Sequence, residues 1–199
     1  MILLIAVIAS IVVALVRGGS LAHLATVRLR YGWVALLAFA LQVLIIYFPL
    51  PRSEGILGKR TLLLQSSYVL LLFVVIINRK LPGFHLVGLG LALNLLVMLV
   101  NGGFMPVTLE ALEKARLGHL ALGQGAGARV ASAKDILLAR EETRLWILSD
   151  VFVVRWPTAT VISIGDILLA IGAFAFFQRT LKPATLQEDL NPEMPSRAE

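Results

Sequence analysis

Five apolar stretches, residues 1–16, 32–48, 61–78, 82–100 and 160–178, follow one another with only short charged, aromatic or proline-bearing segments between most of them. About twenty predominantly apolar residues (range about 17–25) cross a hydrocarbon core as an α-helix. Inside lipid such a segment must satisfy its own backbone hydrogen bonds, which a helix does. The pattern therefore predicts an all-α integral membrane bundle of about five transmembrane helices with short interfacial helices. Composition agrees: 58% of the residues are hydrophobic and 15% charged, with a mean hydropathy of +0.87. Soluble domains average about 45–50% apolar and about 25% charged.

The boundaries carry the expected punctuation. The first stretch is short and would use Arg17 as a snorkelling anchor or thin the bilayer. It lacks a charged leader, so it is expected to be a retained helix rather than a cleaved signal. Residues 18–30 read as an interfacial turn and half-helix. Tyr31, Trp33 and Tyr47 bracket the second stretch at headgroup positions, and Pro49 and Pro51 stop it. Arg79 and Lys80 close the third, and Pro82 opens the fourth. Residues 1–183 are thus expected to form a single transmembrane domain, and residues 184–199 a polar, disordered tail.

Residues 107–158 form a more polar loop with interfacial helices. Leu109, Leu112 and Ala115 have helical spacing, and Ser132-Ala133-Lys134-Asp135 reads as a capping box before a second short helix over 136–144. Gly123-Gln124-Gly125-Ala126-Gly127 would be a hinge between them. It follows no strand, so it lacks the context of a nucleotide loop. The segment from Trp146 to Trp156 is too short to span and suits an interfacial or re-entrant position.

The formal charge of +6 does not point to nucleic acid, because the basic residues lie at the ends of apolar segments. Orientation follows from Lys and Arg near span ends. With the N-terminus outside and the C-terminus inside the cytoplasmic membrane, seven flanking cations, Arg17, Arg28, Arg30, Arg79, Lys80, Arg179 and Lys182, fall on the cytoplasmic side. Arg52, Lys59 and Arg60 fall on the other, with the ends of the long loop. Without cysteine there is no disulfide, thiolate metal site or cysteine nucleophile. His23, His85 and His119 lack metal-ligand spacing. No metal or other cofactor is expected.

Two carboxylates stand out. Asp166 lies about six residues into the fifth stretch, roughly 9 Å below its start, and Asp150 precedes it by sixteen positions. An ionised side chain inside a span costs about 2.5–3.5 kcal/mol on insertion scales, so it usually faces a bundle interior or a wet cavity. In the chosen orientation both acids reach the outer boundary. Two carboxylates in contact share a proton, leaving one as base and one as acid toward a water and a carbonyl. The alternative stays open: Asp166 caps a helix that begins later, and Asp150 pairs with Arg155 or Arg144.

The run Ser149-Asp150-Val151-Phe152, Arg155-Trp156-Pro157 and Ser163-Ile164-Gly165-Asp166 with Gly172 resembles the C-terminal part of lipoprotein signal peptidase, signal peptidase II. The resemblance implies Asp150 and Asp166 as a catalytic dyad, with Ser163 in that family's asparagine position and Gly165 in its alanine position. As a whole, through Asn101-Gly102-Gly103-Phe104-Met105-Pro106 and Ser163-Ile164-Gly165-Asp166, the chain is similar to an uncharacterised bacterial multi-pass membrane family, a domain of unknown function. That likeness implies an inner-membrane location.

Asn94, Gln42 and Gln65-Ser66-Ser67 are read as interhelical hydrogen-bonding groups, worth about 0.6 kcal/mol each in membranes, and Gly83, Gly88 and Gly90 as close-packing surfaces. Asn101, Gly102 and Gly103 form a turn whose backbone donors could face a polar headgroup, although a plain helix C-cap explains the glycines equally well. The expected site therefore has Asp150 and Asp166 as catalytic residues and Asn101, Gly102, Gly103 and Ser163 as substrate-binding residues. Its partners would be the lipid bilayer and a lipid-linked or membrane-embedded peptide substrate. A non-catalytic accessory or scaffold subunit of a larger membrane complex is the alternative, and a small transporter the third.

Overall fold

A computed structural model describes residues 2–47, 58–121 and 135–182. The chain is mostly helical: α1 Ile2–Val16, α2 Ala22–Ala25, α3 Gly32–Tyr47, α4 Lys59–Ile77, α5 Phe84–Val100, α6 Leu109–Lys114 and α7 Ile164–Thr180. Four short strands, β1 Met105–Val107, β2 Asp135–Leu137, β3 Phe152–Val154 and β4 Thr160–Ile162, correct the all-α expectation. Of the described helices, α4 alone is long and apolar enough to cross a membrane by length and composition, while Leu3–Val16, Gly32–Ile45 and Phe84–Val100 are shorter apolar helices. The proline stop at 49–51, the glycine hinge at 123–127 and the tail at 184–199 lie outside the described residues.

The long helices pack in the neighbour order α1, α7, α5, α4, α3. The central seam joins α5 and α7, which run antiparallel through two glycine pairs. Gly83 faces Gly172, and Gly90 faces Gly165. A β-carbon on Gly90 would stand 2.5 Å from the Gly165 carbonyl oxygen, and one on Gly172 would stand 2.8 Å from that of Gly83. The backbones meet where side chains would otherwise hold them apart.

Both ends of this scaffold are tied by asparagines. At the C-terminus of α4, Asn78 donates to the Val74 and Arg30 carbonyls (both 2.8 Å) and accepts from the Arg30 N–H at 2.9 Å. The chain entering α3 is thereby fixed to the end of α4. On the other side of the bundle, the Gln178 side chain reaches from α7 to the Ser10 carbonyl of α1 at 2.8 Å, and the Ser20 N–H donates to Leu181. The ends of α1, α4 and α7 and the starts of α3 and α5 thus lie together. Elsewhere, Gln42 of α3 donates to Ser67 of α4 at 3.1 Å.

The opposite end carries a cap. Gly102 and Gly103, at φ +84° and +97°, reverse the chain after α5 and send β1 back over the helix ends. β1 pairs in parallel with β2, and β3 with β4 in antiparallel. Val107, Ala111, Leu112, Ala121 and Leu137 make a small core of the cap's own. Here the expected helix over 136–144 is corrected: Asp135 begins a strand rather than capping a helix, and Arg140–Glu142 is a 3-10 turn. Pairing with the returning β1 satisfies that backbone, and tertiary context overrides the local capping signal. Thr108 does cap α6, accepting from the Ala111 N–H at 3.2 Å. The segment from Trp146 to Trp156 forms a 3-10 turn and strand β3.

Exposure follows an unusual rule. Large apolar side chains stand exposed along every long helix, including Leu4, Ile8 and Val12 on α1, Leu36 and Phe39 on α3, Leu62, Val69, Phe73 and Ile76 on α4, Leu89 and Leu96 on α5, and Ile171 and Phe174 on α7. Ser10, Thr61, Ser67, Asn78, Asn94, Ser163 and Asp166 are buried between the helices.

The glycine seam predicts different outcomes two residues apart on α5. Gly90→Ala meets backbone and should lower stability by about 1–3 kcal/mol, as overpacking does. Gly88→Ala meets only the Val75 Cγ1 at 3.1 Å, and helix propensity favours alanine by about 1 kcal/mol, so it should stay close to the native value. Thermal denaturation of the two purified variants measures the difference, and equal melting shifts would refute the close backbone approach.

Candidate functional site

The first turn of α7 holds a closed ring of hydrogen bonds. Ser163 is the N-cap: its hydroxyl accepts from the Asp166 N–H at 3.0 Å and donates to the Asn94 Oδ1 at 2.9 Å. The Asn94 amide in turn donates to the Asp166 Oδ1 at 3.0 Å, and the other carboxylate oxygen accepts from the Ser163 N–H at 3.3 Å. Asn94 and Ser163 are fully buried and Asp166 is 6% exposed. Gly165 makes room for the ring, since a β-carbon there would lie 2.1 Å from the Asn94 Oδ1.

This corrects the depth assigned to Asp166. Residues 160–162 are a strand, and the helix starts at Ile164, so Asp166 sits in its first turn rather than six residues inside it. A capping box satisfies two of the orphan N–H groups at a helix start. This carboxyl group also lies in the first turn of the helix, where the N-terminal end of the helix dipole favours an acidic side chain. Ser163-Ile164-Gly165-Asp166 is therefore a helix entry in which each polar residue and the glycine has a geometric task.

Asp150 is 2% exposed. Its N–H donates to the Pro106 carbonyl at 3.2 Å, and it bridges Val107, so it docks on β1. Just upstream, the 3-10 turn Trp146–Leu148 contacts both α5 and α7. Ser149 closes this turn by donating to the Trp146 carbonyl at 2.6 Å.

Asn101 performs the second asparagine staple. Its amide donates to the Val97 and Arg144 carbonyls and accepts from the Arg144 N–H, each at 2.8 Å. Both amide N–H bonds and one oxygen lone pair are thus spent on binding the segment before Trp146 to the end of α5. Gly103 is buried against Thr61 and Gln65 of α4, while Gly102 is exposed. Of the six residues expected at a site, Ser163 and Asp166 are joined directly, Asn101 is joined to Arg144, and Asp150 is joined to β1. Asn94, expected only as interhelical glue, completes the Asp166 ring. Its signal in the sequence is its position four residues after Gly90, on the glycine face of α5.

Among the described residues, no group of three or more His, Cys, Asp or Glu side chains is placed to hold a metal ion. In the cap, the Lys114 ammonium beside Glu110 holds that exposed carboxyl below its ordinary range. Such an exposed pair stabilises α6 little, and what it adds is present above the ordinary carboxylate range and lost as pH falls through the lowered value.

Removing one member of the ring leaves the others buried without it. Asn94→Ala should cost about 1–3 kcal/mol and Ser163→Ala about 1 kcal/mol. The double variant should show coupling of at least about 0.5 kcal/mol; strictly additive losses in denaturation would break the ring. For the staple, Asn101→Ala should accelerate amide hydrogen exchange at Arg144, with exchange in the middle of α4 unchanged.

Residues 26–178 match the model of a family described as a family of unknown function, DUF5317. A relative from Thermotoga maritima, described as an uncharacterized protein, is 34% identical over 142 residues, covering 68% of this chain and 73% of its own length. No solved structure matches. With the family match running from before α3 almost to the end of α7, the chain belongs to the DUF5317 family, whose function is unknown.

Proposed function

We propose that this chain is an integral membrane protein of the cytoplasmic membrane, with α1, α3, α4, α5 and α7 in the bilayer, the cap outside, and the N-terminus out and C-terminus in. The observation that carries this reading is the apolar outer surface of the bundle, with polar side chains among those it buries. Leucine, isoleucine, valine and phenylalanine cover its outside, and serine, threonine, asparagine and aspartate lie between its helices together with apolar side chains such as Leu64, Leu91 and Val97. In water that arrangement would leave apolar surface far beyond the few hundred Å² common on a monomer; in lipid it is the stable one. The helices are 15–19 residues long, about 22–28 Å at 1.5 Å per residue. They suit a thin bilayer or one locally thinned around them.

Within that frame, the role best supported is that of a non-catalytic accessory or scaffold subunit of a larger membrane complex. Asp166, Ser163, Asn94 and Asn101 are engaged in holding the cap and α7 to the bundle, which is the work of a rigid framework. A second reading, an aspartic-hydrolase-like centre acting on a lipid-linked or membrane-embedded peptide, is favoured by one observation: two carboxylates, Asp150 and Asp166, are buried at the capped end. The local likeness to lipoprotein signal peptidase belongs to that second reading.

The cysteine-free chain makes topology directly testable. With single cysteines introduced as Glu141→Cys in the cap and Ser20→Cys at the other end, an impermeant maleimide should label the first in intact cells and the second only after permeabilisation. The reverse pattern would overturn the orientation, and recovery of the protein in the soluble fraction would overturn insertion. For function, Asp166→Asn should lower the melting temperature without accumulation of lipid-linked or lipoprotein precursors, and Asp150→Asn should leave precursors unchanged. Precursor accumulation in both variants, with native melting, would replace the scaffold with the hydrolase.

A further inference from the structure

The end of the bundle opposite the cap gathers cations from separate parts of the chain. Arg17 lies at the end of α1 and Arg179 and Lys182 at the end of α7, and the Arg17 guanidinium donates to Gln178 at 3.3 Å. Arg28 and Arg30 precede α3, and the Asn78 staple fixes the Arg30 backbone against the turn that carries Arg79 and Lys80. Residues 17–31, 78–83 and 179–182 contain no aspartate or glutamate. Among the described residues, none of these seven cations has an acidic partner within ion-pair distance. Arg17, Arg28, Arg30, Arg79, Lys80 and Arg179 are exposed.

The same surface carries exposed apolar groups. Leu21, Leu29, Tyr31 and Trp33 alternate with these arginines, and Trp33 is 67% exposed at the start of α3. Tyr31 is held in a left-handed conformation at φ +59° and packs on Phe73 of α4, with ring centroids 5.6 Å apart. A strap of cations and exposed aromatic and aliphatic side chains, fixed to the helix ends, suits the boundary between headgroups and acyl chains. A solvated face that only needed solubility would not require the tryptophan and leucines.

We propose that this end is a docking surface for the headgroups of anionic phospholipids, with Arg28, Arg30, Arg79 and Lys80 around the Asn78 staple as its centre. The argument is charge complementarity: clustered cations without carboxylates attract a phosphodiester carrying net negative charge and gain nothing of that kind from a zwitterionic headgroup. The proposal rests on the membrane reading and adds lipid selectivity to it.

Trp33 provides the probe. In full-length chain carrying Trp146→Phe and Trp156→Phe, only Trp33 fluoresces as tryptophan, and it sits beside the proposed surface. The protein is reconstituted into vesicles of phosphatidylcholine containing either brominated phosphatidylglycerol or brominated phosphatidylcholine at equal mole fraction. Brominated phosphatidylglycerol should quench Trp33 more strongly, with a relative binding constant at least about fivefold in its favour, the order expected from a single basic residue near an anionic surface. The variant Arg28→Gln, Arg30→Gln, Arg79→Gln, Lys80→Gln should lose that preference while keeping its quenching by brominated phosphatidylcholine. Added inorganic phosphate should not abolish the preference; abolition would assign the surface to free phosphate and overturn the lipid proposal. Equal quenching by the two lipids in the parent chain would also overturn it. Quenching by neither lipid would instead remove the membrane reading itself.

Discussion

The seam between α5 and α7 is the constraint on which the rest of the arrangement depends. Its glycine pairs bring two backbones within reach of each other, and only at that separation can Asn94 on α5 bond both the hydroxyl and the carboxylate of the α7 capping box. The ring and the glycines support one another. Without Gly165 the Asn94 amide would be displaced; without Asn94 a buried carboxylate and hydroxyl would each lose a partner. Burying an ionisable group is costly unless it is hydrogen-bonded, so this small network fixes the position of α7 along α5 as well as its distance from it. The start of α7, and with it β4, is placed from there.

Two asparagines extend the same logic to the helix ends. Asn78 and Asn101 each follow the last residue of a long helix, each donates to the carbonyl four residues back, and each pairs with the N–H and C=O of a distant residue, Arg30 or Arg144. An asparagine amide has the right groups for this: two donors and an acceptor on a short side chain. One staple fixes the basic strap before α3. The other fixes the segment leading to the Trp146 turn, which rests on α5 and α7. Connections that would be mobile as isolated loops become extensions of the bundle, and the cap gains its own small core on that base.

Much of this was legible in the sequence and some was not. The long helices occupy the five apolar stretches, because uninterrupted apolar runs of that length offer the backbone few other solutions. Gly83 and Gly90 are readable as packing surfaces, but their partners Gly172 and Gly165 are not, since pairing across 89 and 75 residues leaves no local trace. The strands of the cap are hidden in the sequence for a related reason. Asp135 to Leu137 has no strong strand pattern, and it is extended only because β1 returns beside it. Asn101 illustrates a different limit: Asn-Gly-Gly announces a turn, but the backbone that its amide bonds, that of Arg144, lies 43 positions further along the chain.

By itself the sequence determined that the chain is built from long apolar helices with cations at their ends, and that it lacks cysteine chemistry. These are properties of composition and local run length, which need no knowledge of what lies nearby in space. Only the tertiary structure decided where Asp166 stands: in the first turn of α7, bonded to Ser163 and Asn94. A carboxylate in an apolar stretch has the same sequence signature whether it lies deep inside a helix or in its first turn, because the distinction lies in where the helix begins and in its partners. Those are Asn94, seventy-two positions away, and a serine whose capping role depends on where α7 begins. The gathering of scattered cations at one end has the same origin, since it follows from helix directions and from the staples that fold the chain back on itself.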